Sequence, residues 1–449
     1  MAEQTAMVVP IFDLALCMAQ AVDLVSPLVA DHHERTAQIA YGLGRQIRLP
    51  EQALKDLVLA AALHDIGGLT RNDRLGALNF EYQDPYGHSV NGYLLLKTFP
   101  PFAVPAQIVR FHHVPWRGGA GAVFDGQPVP AASHLLQLAD RVAVLIDPNQ
   151  EILHQVAGIL ERVRQQAGAR FDPEQVDALF ALAEREAFWL DALYFRDISI
   201  MGRRLSWPEL EIGDEQFLGL TNLFRRIIDF RSAFTATHSA GVAAVAEKLA
   251  QLSGFSQADC WMIHLAGLLH DLGKLAVPAE ILEKPGKLTP EEFDIVRRHT
   301  YYTFRLLEPL KIMDMVRIWG AFHHERMDGH GYPFHLDEND LPLGSRIVSV
   351  ADIFTALAED RPYRRGIPPQ EVLQVLLDGS TQRRLDSQVV AVLREHLDEI
   401  DAVRCAAQQH ALDEYQAFIE TATQLTPRAL DDLHAVQPDL NNPLAKPQD

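Results

Sequence analysis

Fourteen histidines and aspartates hold the chemistry that can be read from this 449-residue chain, and they fall into two rows of seven. The first row is His32, the pair His64-Asp65, His88, the pair His112-His113, then Asp140. The second is His238, His270-Asp271, His299, His323-His324 and Asp352. In both rows 32 residues separate the first His from the His-Asp pair, and 24 separate the isolated third-position His from the His pair. The other two intervals are 24 against 29 and 27 against 28. Imidazoles and carboxylates in apolar surroundings are costly to bury unless something pairs them. A set repeated at matched intervals therefore points to metal binding. An adjacent His-Asp can place its imidazole on one ion while the two carboxylate oxygens span to a second. Nitrogen and oxygen donors without thiolate suit manganese or iron, leave zinc, nickel and cobalt open, and argue against a calcium cage.

The elements that must position these residues read as helices. Apolar residues recur at helical spacing, as in Leu54, Leu57, Val58, Ala61 and Ala62, or Val242, Val245, Ala246 and Leu249. Alternating strand-like runs are scarce, and Gly, Pro and Asp cluster into loops at 118–130 and 328–342. The expected class is all-α. The apolar context repeats with the rows: LAAALHDIGG beside LAGLLHDLGK, LLQLADRVAVL beside RIVSVADIFTAL, and FDPEQV beside LDSQVV. The chain thus reads as a duplicated helical bundle. Its expected parts are a first domain at 20–197, a linker and connecting helix at 198–220 that includes Trp207, Pro208 and Gly213, a second domain at 221–424, and a flexible, proline-bearing tail at 425–449.

Composition narrows the function. Hydrophobic residues make up 48%, enough for buried cores, and the net charge of −20 disfavours a general nucleic-acid surface. Cys17, Cys260 and Cys405 are far apart and outside any CxxC spacing, so a reducing compartment is expected. No 18-residue apolar run is present, which predicts a cytoplasmic protein without membrane attachment.

The segment from His323 to Pro333, HHERMDGHGYP, resembles the HHExxDGxGYP signature of the HD-GYP subgroup of the HD phosphohydrolase superfamily. Around it stand, in that family's order, HDLGK at His270, KPGKLT at Lys284, RRHT at Arg297, VAD at Val350 and RPYR at Arg361. The resemblance covers about 200 residues of the second half, whereas the first half matches only the broader HD pattern. It implies two tandem HD-type helical bundles, with His238, His270, Asp271, His299, His323, His324 and Asp352 as metal ligands. It also implies that Asp271 and Lys274 are catalytic, that Lys274, Arg361, Arg364 and Tyr332 bind substrate, and that the GYP loop meets diguanylate-cyclase-type signalling domains. The implied activity is that of a bacterial second-messenger enzyme. Cyclic di-GMP would be hydrolysed by a two-metal activated hydroxide to linear pGpG and onward to GMP. Activity on 3′,3′-cyclic GMP-AMP is the alternative substrate reading, and a non-catalytic binding or scaffold protein is the alternative class.

Departures from the signature qualify these expectations. Phe234 stands where some members carry a Glu that supports a third metal, so two ions are expected. Thr303 replaces a usual Gly, and Leu385-Asp386-Ser387 a usual FDP, for which packing changes are expected. In the first half Gly68 matches Lys274, and Val114-Pro115-Trp116-Arg117 follows the His pair in place of the signature. Its ligand row of His32, His64, Asp65, His88, His112, His113 and Asp140 is intact, which predicts an auxiliary domain that still binds a metal pair. Apolar positions from Leu218 to Phe230 suggest a homodimer.

Overall fold

In the computed structural model the described residues are 7–24, 31–68, 86–194 and 205–426, apart from 208, 213, 230–232, 283, 285 and 361–364. The expected tail from 427 onward, and Arg361 and Arg364, lie outside them. The architecture is helical, as the periodicity predicts. Strand structure among the described residues is confined to two short antiparallel pairs, Met7–Pro10 with Glu209–Ile212 and Val123–Phe124 with Gln127–Pro128.

Each half builds the same five-helix frame. In the first it comprises His32–Gln46, Glu51–Leu63, Tyr86–Leu96, Ala103–Arg110 and Ala131–Leu145. In the second it comprises Ala233–Leu252, Gln257–Leu269, Pro290–Leu307, Asp314–Ala321 and Leu343–Ala358. The first and last helices of each frame pack on one another, as do the first and second. Their contact faces are the repeated apolar stretches: Leu57, Val58, Ala61 and Leu63 in one half and Ile263, Leu265, Ala266 and Leu269 in the other are buried. Capping fixes the starts of several helices. Thr289 accepts from the Glu292 N–H while Glu292 bonds back to Thr289, a reciprocal cap that fixes the start of the helix bearing His299.

One close approach recurs in both halves. A Cβ on Gly67 would lie 2.1 Å from the His88 carbonyl oxygen, and one on Gly273 2.0 Å from the His299 carbonyl oxygen. Glycine is needed there because the turn after each His-Asp pair presses its backbone against the helix that carries the next His. The duplication therefore extends to backbone contacts.

The two halves touch. The Ile11–Asp23 helix, which starts ahead of residue 20, packs on the first two helices of the first frame and on the Pro290–Leu307 helix and the Leu272–Ala276 turn of the second. Cys17 on it donates to the Leu306 carbonyl at 3.1 Å, and Phe12 stacks on Trp207 with centroids 4.6 Å apart. The Asp214–Asp229 helix packs on Ala233–Leu252, Gln257–Leu269 and Tyr86–Leu96. Leu220, Leu223, Phe224 and Ile227 are buried in those contacts, so the apolar stripe that suggested a homodimer is consumed within the chain. No helix among the described residues is long and apolar enough to cross a membrane.

Candidate metal centres

Helix ends and inward helix faces deliver the ligands. His64 and His270 are the C-caps of their helices, and each turns Nδ1 onto the carbonyl three residues back, Ala61 at 2.8 Å and Gly267 at 2.7 Å. His112, His299 and His323 do the same with Val109, Val296 and Gly320 at 2.6–2.7 Å. An imidazole whose Nδ1–H is donated to a carbonyl presents a bare Nε2, the form a metal takes. The Nε2 atoms accordingly converge: His32 and His64 lie 3.2 Å apart, His88 and His112 3.4 Å, and His299 and His323 3.4 Å.

Between them sits one carboxylate per domain. Oδ2 of Asp271 lies 3.1 Å from His270 and 3.8 Å from His238, while Oδ1 lies 3.4 Å from His299 and 3.9 Å from His323. Asp65 repeats this, with Oδ2 at 3.3 Å from His64 and 3.8 Å from His32, and Oδ1 at 3.2 Å from His88 and 3.8 Å from His112. Each Asp therefore faces two ligand groups with different oxygens. In the second domain the groups are His238, His270 and Asp352 on one side and His299, His323 and His324 on the other. In the first they are His32, His64 and Asp140, and His88, His112 and His113 with Asp65. The structure thus brings together both complete rows.

These residues fit divalent ions. Nε2 of His270 and Oδ1 of Asp271, Asp65 and Asp140 are buried without a hydrogen-bond partner, a costly state that a cation at the convergence point relieves. Burial pushes His299 down to about 3, His324 to about 4 and His112 to about 3, so these imidazoles are neutral and able to ligate. Burial opposes protonation of His238 as well, but the charge of Glu359 and a bond to Asp352 hold it up at about 10. Burial would raise Asp271, yet His270 and Lys274 keep it well below the usual carboxylate range.

Around the ligands the two centres differ. Lys274 places Nζ 2.5 Å from Oδ2 of Asp271 and remains about one-third exposed. Gly68 offers nothing comparable. In the first centre Arg141 instead grips Oδ2 of Asp140 through Nε at 2.9 Å and Nη2 at 2.7 Å, with both side chains fully buried. The residue after Asp352 is Ile353. Tyr332 lies against the second centre, its ring 5.0 Å from that of His324.

Sequence reasoning missed four supporting residues. Glu359 accepts from Nδ1 of His238 at 2.9 Å and is held by Gln408 at 3.0 Å. Its position seven residues after Asp352 on the helical period was the available signal. Glu325 accepts the N–H groups of Phe334 at 2.6 Å and Leu336 at 3.1 Å, tying down the GYP loop, whose Gly331 leaves no room for a Cβ beside the Glu325 backbone. Arg141 is the third. Thr303 is the fourth and corrects an expectation: its Oγ1 donates to the His270 carbonyl at 3.0 Å and accepts the Gly273 N–H at 2.9 Å, so the replacement of Gly touches a ligand's own backbone. Asp386, by contrast, caps the Ser387–Glu395 helix and pairs with Arg346 at 3.0 Å, a packing role.

Comparison with known proteins agrees with the duplication. Two family models, each described as an HD domain, match residues 29–145 and 222–389. The 3′3′-cGAMP-specific phosphodiesterase 1 of Vibrio cholerae is 32% identical over 390 residues, covering 84% of this chain and 89% of its own. Phosphodiesterase 3 of the same specificity and organism is 27% identical over 445 residues, covering 87% and 95%. A crystal structure of that V. cholerae cyclic GMP-AMP phosphodiesterase (V-cGAP3) superposes with a TM-score of 0.63 at 25% identity, over 87% of this chain and 98% of the other. A cyclic di-GMP phosphodiesterase of Thermotoga maritima is 34% identical over 198 residues, or 41% of this chain and 54% of its own.

Proposed function

The chain belongs to the HD superfamily of metal-dependent phosphohydrolases, in its HD-GYP branch, and from that premise we propose that its second domain opens 3′,3′-cyclic GMP-AMP to the linear dinucleotide. The class of reaction, hydrolysis of a cyclic dinucleotide by a phosphodiesterase, follows from the family and from the complete ligand row. The finer choice of substrate rests on one observation. The relatives that match across both domains are named for 3′3′-cGAMP, whereas the T. maritima cyclic di-GMP enzyme matches over about one domain's length. Cyclic di-GMP, the first expectation from sequence, is kept as the second reading on the strength of that match.

Two divalent ions, manganese or iron, would be held by His238, His270 and Asp352 and by His299, His323 and His324, with Asp271 facing both. Bound there, they supply positive charge against a phosphodiester and lower the pKa of an attacking water. Asp271 fixes the spacing of the two ligand groups. Lys274, one turn past His270 and part exposed, offsets phosphate charge at the mouth of the centre. Tyr332 bounds the space beside His324. This intact lysine and ligand row argue against a purely binding role. For the first domain we propose metal binding without turnover of this substrate, because a lysine is lacking and Arg141 already neutralises Asp140.

The test is hydrolysis of 3′,3′-cyclic GMP-AMP and cyclic di-GMP side by side, with protein purified anaerobically and supplied with manganese or ferrous iron. Linear product from cyclic GMP-AMP in preference supports the proposal. Preference for cyclic di-GMP selects the second reading, and no product from either with metal bound overturns both.

A further inference from the structure

A cavity of about 400 Å³ opens beside the second centre, lined by Asp294, Arg297, Arg298 and Tyr301 on one side and Tyr332 and Pro333 on the other. The four residues of the Pro290–Leu307 helix are spaced to share one face. His299, on the same helix, turns into the ligand cluster. Tyr332 is the shared wall: its ring lies 5.0 Å from that of His324, and burial holds its hydroxyl protonated. A dinucleotide with one phosphodiester against the ligands therefore has its remainder within reach of this cavity.

We propose that the cavity is a guanine subsite in which Arg297 reads the base and Tyr301 and Tyr332 flank it. The proposal rests on the cyclic-dinucleotide reading given above. A guanidinium donates two parallel bonds to O6 and N7 of guanine, whereas adenine presents a donor at N6 that opposes it. Asp294 lies 3.5 Å from the Arg297 guanidinium and sets its orientation. The same carboxylate disfavours a phosphate in this space but accepts from the guanine amino group. Arg297, and not Arg298, is assigned because its guanidinium is the one paired with Asp294, which lines the same cavity. Tyr301 is 45% exposed and offers an aromatic face on which a base can stack.

The test compares wild type with Arg297→Ala, Arg297→Lys and Tyr301→Ala in the metal-loaded full chain. Cyclic GMP-AMP and cyclic di-GMP serve as substrates, and cyclic di-AMP as a competitive inhibitor. Arg297→Ala is expected to raise KM for the guanine-containing substrates roughly 10- to 100-fold while kcat stays within about threefold. Arg297→Lys is expected not to restore it, since lysine lacks the fork. The inhibition constant of cyclic di-AMP should not move. Equal weakening of all three nucleotides would assign Arg297 to general phosphate attraction and overturn the proposal, as would an unchanged KM. Failure of the wild type to turn over either substrate would instead overturn the underlying phosphodiesterase reading, and this one with it.

Discussion

Replacing Glu359 by glutamine tests whether the second centre is tuned from behind its ligands. The carboxylate is buried, accepts from Nδ1 of His238 at 2.9 Å through one oxygen, and takes the Gln408 amide at 3.0 Å through the other. Against the effect of burial, its charge is the leading influence that raises His238. A neutral amide of the same shape keeps the packing but gives up the charge-assisted part of the bond and the electron density it lends to Nε2. Outer partners of ligating imidazoles are worth 10- to 100-fold in metal affinity, or about 1.4–2.7 kcal/mol. The expected loss is of that size and confined to the ion position made by His238, His270 and Asp352, since Glu359 does not touch His299, His323 or His324 among the contacts described. Competition against a chromophoric chelator, followed as two binding steps per domain, measures it. Turnover should recover at saturating metal. Unchanged affinity, equal weakening at both positions, or turnover that excess metal does not rescue would refute the argument.

Asp271→Ala should reduce hydrolysis by at least about a thousandfold because it removes the carboxylate that faces both ligand groups, while Asp65→Ala should leave most of it; equal losses in initial-rate assays would show that the domains do not divide as proposed. Gly273→Ala drives a methyl into the His299 carbonyl and should cost about 3 kcal/mol in urea unfolding along with loss of bound metal. A variant of wild-type stability would mean that the turn can shift away. Glu325→Ala removes the acceptor for two loop N–H groups, each worth about 1.5–3 kcal/mol when the acceptor is charged. Faster limited proteolysis within 328–342 is the expected reading, and protection equal to wild type would place the loop's anchor elsewhere.

The helices and both ligand rows were legible in the sequence because each depends on short-range pattern: a 3.6-residue apolar period and a His-Asp pair at the end of its helix. The duplication was legible because interval and context repeat together. Most of what escaped notice depends on distant parts of the chain. Glu359 meets His238 across 121 residues, and its spacing of seven from Asp352 does not by itself name that partner. Thr303 reaches the turn at His270 from a helix that begins 20 residues later. Arg141 sits next to Asp140, yet adjacency alone does not say that a guanidinium will fold back onto a buried carboxylate. The helix at Ile11–Asp23 was legible as apolar, but its wedging between the halves is a tertiary fact. The roles of Arg361 and Arg364 rest on the resemblance, since those residues lie outside the described ones.

Two centres with the same seven ligands at similar distances invite the expectation of two like activities, and the surroundings argue otherwise. A phosphodiester brings negative charge, so the centre that hydrolyses it needs cationic help that can reach the substrate. In the second domain we propose Lys274 for that help, part exposed above Asp271. In the first domain the cation found on a ligand among the described residues is Arg141, fully buried and already committed to Asp140 through two hydrogen bonds. A guanidinium in that position balances the charge of the ligand set itself and leaves none for a ligand from solvent. The lining follows the same division. His324 is part exposed beside the GYP loop, whereas its counterpart His113 is buried beside Val114. We propose that the differences at the lysine, at the residue following the last Asp and in the loop after the His pair separate the two centres. The complete row in each half fits a cation at both centres, since buried imidazoles and carboxylates left unpaired are costly to the fold.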